Sequence, residues 1–169
     1  MKTLLTISKK LDHSAERIGQ ITSWLIFILV LQVAGDVLFR YFFQISSIAE
    51  QELQWHILAA IAMFGSAYTF QQEEHVRVDL VYNLYSKKVK IIMDILIPLI
   101  IIIPFSLFII YLSSQFVMQA YVNGEVSADP GGLPYRYLVK SLIPLGFILI
   151  LLQAISVLLR SITQLKGEK

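Results

Sequence analysis

A chain of 169 residues with no cysteine, 56% hydrophobic residues and a mean hydropathy of +0.68 is too apolar for an ordinary water-soluble domain. The missing cysteines exclude disulfides, thiolate metal sites and thiol nucleophiles. The net charge of +2 is spread over scattered basic residues without interleaved exposed aromatics, which excludes a nucleic-acid surface.

Near the amino terminus, Leu4, Ile7, Leu11, Ala15 and Ile18 recur at spacings of three and four, while Lys9, Lys10 and Arg17 fall elsewhere around the wheel. This pattern predicts an amphipathic helix that either lies in the membrane interface or docks on another subunit. Four apolar runs follow, at about residues 20–43, 50–71, 91–113 and 139–160. Each is about long enough to cross ~30 Å of hydrocarbon as a helix. Lipid offers the backbone no hydrogen-bond partner, and four spans are too few strands to close a barrel. The expected fold is therefore all-α: one integral membrane domain of four helices over residues 1–169, preceded by the amphipathic segment.

Inside the first run, Gln32, Asp36 and Arg40 repeat every four residues and share one helical face. A carboxylate such as Asp36 is expensive in lipid and should face protein. The second run opens with Ser47 and Glu50 at capping-box spacing. Counting inward from the shared turn predicts a polar seam of Asp36, Arg40, Glu50, Glu52 and His56. Arg40 would pair with Glu52, and Asp36 would bond Arg40 or His56. A seam of this kind either relays protons or fixes the register of two helices, and its confinement to one end favours register. Deeper in the second run, Trp55, Ala59, Ala62, Gly65 and Ser66 form a stretch rich in small residues, which predicts close helix packing or a subunit interface.

The connector after the second run carries His75 and Asp79 four residues apart. They lack the further ligand a zinc site needs, and of His13, His56 and His75 only one lies in a span, which argues against bis-histidine haem. The third run is rich in isoleucine, contains Pro98 and Pro104, and reads as lipid-facing. Before the fourth run, Asp129, Pro130, Gly131 and Gly132 lead into Arg136, a turn-rich loop that either joins two spans or presents a surface. The fourth run, with Pro144, Gly146 and Gln153, has too little polarity to line an aqueous path.

Eleven of the fourteen Lys and Arg residues fall in the amino-terminal tail, the 71–90 connector and the carboxyl tail. Only Arg40, Arg136 and Lys140 fall on the other side, so both termini should be cytoplasmic. No nucleophile, base and oxyanion donors come together, and catalytic, substrate-binding and metal-ligating residues are expected to be absent.

The order of these features resembles the small membrane (DctQ-like) subunit of tripartite ATP-independent periplasmic (TRAP) transporters. The resemblance rests on Arg40-Tyr41, on Glu52-Leu53 with Trp55, and on Gly65 followed by Tyr68. It continues through the connector His75-Val76-Arg77-Val78-Asp79-Leu80, the loop Asp129-Pro130-Gly131-Gly132-Leu133-Pro134, and Ile143-Pro144-Leu145-Gly146. Gln51 departs from the pattern, since many relatives have an acidic residue there. The resemblance implies a multi-pass protein of the bacterial inner membrane that binds a large polytopic subunit and works with a periplasmic substrate-binding protein. It further implies sodium-coupled uptake of an organic anion, often a carboxylate. Sodium would bind the large subunit, and this chain, holding no cofactor, would brace the fixed scaffold. The rival reading from the residues alone is a small homodimeric proton-coupled exporter using Asp36.

Overall fold

A computed structural model of the chain describes residues 2–72 and 85–167. Helix α1 runs over Lys2–Phe43 and α2 over Ile48–Gln71. Helix α3 covers Lys87–Val122 and is continuous through a π-helical turn at Pro98–Ile102, and α4 covers Arg136–Gly167. The described residues are all-α, as expected. The connector residues His75 and Asp79 lie outside them.

Local chemistry sets the helix ends. Gln44, at φ +53, turns the chain out of α1, and Ser47 caps α2 by accepting the Glu50 N–H at 3.5 Å. Pro98 and Pro104 bracket the π turn in α3, where their missing donors prevent a regular ladder. Tyr135, at φ +62, precedes the first turn of α4.

Helix α4 packs against each of the other three, α1 and α2 pair antiparallel, and α3 packs chiefly on α4. The interior is small and polar. Its buried residues include Ala15, Ala67, Ala120 and Ala154 with Ser8, Thr22, Ser106, Ser113, Gln153 and Ser156, while Trp24, Phe27, Leu31, Phe108 and Tyr111 point outward. Lipid tails give bulky side chains no reason to turn inward, so close approach and hydrogen bonding decide what lies between the helices. The accessible surface of 11405 Å² confirms an open array, since a compact soluble protein of 19.3 kDa exposes about 8,500 Å².

Two expectations need correction. Among the described residues, three helices are long and apolar enough to cross a membrane, Leu4–Phe43, Lys87–Val122 and Arg136–Leu165, where four were predicted. Helix α2 has the length, but Glu50, Gln51, Glu52, Gln54 and His56 crowd its first turns and lower its hydropathy. The amphipathic segment is also not a separate surface helix. Nothing at Gly19-Gln20 stops the helix, so the segment forms the first half of α1 and docks on the last turns of α4. There Ser8 and Ser156 hydroxyls lie 2.8 Å apart, the Ser156 hydroxyl donates to Asp12 Oδ1 at 2.6 Å, and Gln153 Nε2 donates to the Leu11 carbonyl at 3.0 Å.

Candidate functional site

The densest polar constellation lies where the first turns of α2 meet the loop before α4, and Glu52 is its centre. Glu52 is buried, and its carboxylate accepts hydrogen bonds from the Ser127 hydroxyl, from the Leu133 N–H at 2.6 Å and from Arg136 Nη2 at 3.4 Å. The loop is folded to deliver these donors. Pro130 and Gly131 occupy the middle of a turn closed by Gly132 N–H to the Asp129 carbonyl at 3.0 Å, and φ +83 at Gly131 identifies it as type II. The Ser127 N–H donates to the Leu133 carbonyl at 3.2 Å and the Arg136 N–H to the Glu125 carbonyl at 3.1 Å, while the Glu125 carboxylate pairs with Lys140. Gly132 lies against this carboxylate: a Cβ there would meet Ser127 and would stand 2.8 Å from Glu52 Oε2.

Arg40 belongs to a second, separate pair. Its Nη2 lies 2.5 Å from Asp36 Oδ2, with the carboxylate buried and the guanidinium half-exposed. The expected Arg40–Glu52 bridge is therefore replaced by Arg40–Asp36 and Arg136–Glu52. Helix geometry explains the exchange. Glu52 is eleven residues from Met63, hence on the same side of α2, and Met63 touches Gly146 of α4; Gly65 and Tyr68, which touch Thr22 and Gly19, define the side facing α1. Glu52 thus looks toward α4 and its loop, and Arg40 closes on Asp36 one turn earlier in its own helix. His56 donates from Nδ1 to the Glu52 carbonyl at 2.5 Å and makes no bond to Asp36, while Glu50 holds an exposed side chain and a carbonyl that accepts from Gln32 Nε2 at 3.3 Å.

Among the predicted packing positions, Gly65 sits on the α1 contact and Ala59 is half-buried, whereas Trp55, Ala62 and Ser66 share an exposed side of α2. Sequence reasoning missed Gly19 and Gly146. A Cβ on Gly19 would lie 2.5 Å from the Tyr68 ring, and one on Gly146 would lie 2.9 Å from Met63 Cβ. Glycines on the helices flanking a run of small residues were the available signal. The Ser8–Asp12–Ser156 knot was missed as well, although Gln153 and Ser156 interrupt an otherwise apolar run.

The family model for the DctQ component of tripartite ATP-independent periplasmic transporters matches residues 14–164. The chain belongs to this family. No curated protein and no solved structure gave a significant match. The DctQ family is a transporter component and not an enzyme family, and its match takes in α2 and α3, most of α1 and α4, both polar pairs and the Glu52-centred loop.

Proposed function

We propose that this DctQ component is the non-conducting brace of a sodium-coupled TRAP transporter for an organic anion, in the bacterial inner membrane. It associates with the large membrane subunit, which holds the substrate and sodium sites, and a periplasmic binding protein delivers the solute, often a carboxylate. One observation supports this most: the buried carboxylates of α1 and α2, Asp36 and Glu52, are engaged in ties within the chain. Asp36 holds Arg40, and Glu52 holds Ser127, Leu133 and Arg136. Groups fixed in this way stiffen a scaffold. They also weaken the exporter reading, in which Asp36 would have to exchange protons freely. The exposed side of α2 bearing Trp55, Ala62 and Ser66 suits a second protein surface.

Ser8 and Ser156 join the amino-terminal half of α1 to the carboxyl-terminal half of α4, so the two termini lie at one end of the bundle. The distribution of basic residues supports the cytoplasm for that end.

The test is expression with and without the large membrane subunit. The pair should co-purify and take up a carboxylate on a sodium gradient, and this chain alone in liposomes should move nothing. Solute flux through the chain alone would overturn the reading.

A further inference from the structure

One exposed stripe of α1 changes character within a single turn. Lys10, Arg17, Ile21, Trp24, Ile28 and Leu31 follow one another at spacings of seven, four, three, four and three, so they share a face, and all are exposed. That face is turned away from α2 and α4, which meet α1 through Ser8, Ala15, Gly19 and Thr22. From Arg17 toward the amino terminus the stripe is basic, with exposed Lys9 beside Lys10; from Ile21 onward it is wholly apolar.

Neither local carboxylate pairs with this cluster: Asp12 is turned to α4, where it accepts from the Ser156 hydroxyl at 2.6 Å. Glu16 lies 3.7 Å from His13, and Arg17 engages His13 only through Nε, at 3.0 Å, which leaves its terminal nitrogens for another acceptor. A guanidinium bordering hydrocarbon requires an anionic or strongly accepting partner, because acyl chains provide none. Trp24, 68% exposed and in edge-to-face contact with Phe27, lies two turns further along, where an amphipathic ring suits the boundary region.

We propose that this stripe binds an anionic phospholipid from the leaflet on the amino-terminal side. The phosphate group sits on Lys10 and Arg17 with Lys9 alongside, and an acyl chain lies along Ile21, Trp24 and Ile28. Charge complementarity and the continuity of the basic into the apolar surface select a lipid, which carries both chemistries at this spacing. The upright docking of the segment on α4 gives the site its fixed shape.

Trp24 reports on the site directly. In the full chain with Trp55→Phe, Trp24 is the sole tryptophan, and its fluorescence is followed in liposomes containing brominated phosphatidylglycerol or brominated phosphatidylcholine at equal mole fraction. Phosphatidylglycerol should quench more strongly, and Lys10→Gln with Arg17→Gln should weaken that preference on the order of tenfold, since each basic residue near an anionic surface contributes roughly fivefold in affinity. Lys10→Arg with Arg17→Lys should retain it. These positions face outward, so the fold is preserved, and circular dichroism verifies this. Equal quenching by both lipids overturns the proposal, as does a preference that survives loss of both cations. Soluble glycerol phosphate should leave the fluorescence unchanged; competition by it would assign the site to a free anion. If Trp24 is instead inaccessible to both lipids in the complex with the large subunit, the stripe is a protein contact and the lipid assignment fails.

Discussion

Asp36 and Arg40 form an asymmetric pair, and the asymmetry predicts which substitution does harm. The carboxylate is buried and its Oδ1 meets no donor among the described residues, whereas the guanidinium is half-exposed. Arg40→Ala would strand a buried charge and should cost about 2–4 kcal/mol of stability. Asp36→Ala leaves an arginine that can reach water and should cost about 1 kcal/mol or less. Thermal unfolding in a mild detergent measures both. The reverse order would mean that Arg40, and not Asp36, is the buried member. Glycines permit a matched comparison at the same scale. Gly132→Ala forces a methyl group against Ser127 and Glu52 and should cost about 1–3 kcal/mol, with protease cleavage appearing in the 125–135 loop. Gly35→Ala meets nothing within 4 Å and should be neutral or stabilising by about 0.5–1 kcal/mol in the same assay.

At the scale of elements, α2 is held on two sides by glycines of its neighbours: Gly19 of α1 under Tyr68 on one, and Gly146 of α4 against Met63 with Gly132 of the loop beside Glu52 on the other. Gly19→Ala should destabilise the chain by about 1–3 kcal/mol, and most of that loss should vanish when Tyr68→Ala removes the ring, because the two positions act through one contact. Additive effects in the double-mutant cycle would show that the ring does not rest on Gly19. The four helices were legible in the hydropathy of the chain, and so was the turn at Asp129–Gly132, whose Pro-Gly-Gly chemistry admits few conformations. The partners of Glu52 were not. Depth along two helices can be counted from a shared turn, but the side of α2 on which Glu52 lies depends on where α4 packs, and α4 begins 84 residues after Glu52 in the chain. The reach of α1 was hidden for a similar reason. Leu4, Ile7, Leu11, Ala15 and Ile18 mark an amphipathic helix, yet of these only small Ala15 is fully buried, and the residue bonded to α4 is Ser8, one position from the stripe. Small and polar residues carry the contact, so hydrophobic periodicity points slightly to one side of it.

For the whole molecule, the contact between the first and last helices bears on how the chain crosses the membrane. Helices α1, α3 and α4 each contain a span, and three crossings would leave the termini on opposite sides. Ser8, however, meets Ser156 at 2.8 Å, and Gln153 reaches the backbone of Leu11. Helix α2, antiparallel to α1 and about 36 Å long from its 24 residues, has the length for a return pass that would keep this contact. Its acidic first turns are tolerated because Glu52 finds three donors at that end. The chain has no cysteine, so single thiols can map this directly. Cysteines placed at Gln44 and Gln72 should react with a membrane-impermeant maleimide from opposite faces of oriented vesicles, and cysteines at Lys9 and Gln72 from the same face. Labelling of Gln44 and Gln72 from one face would place α2 outside the bilayer. The contact between α1 and α4 would then have to break when the protein enters a membrane, and Ser156→Ala, which should otherwise cost about 1–3 kcal/mol by leaving Ser8 and Asp12 without their partner, would have little effect on stability in liposomes.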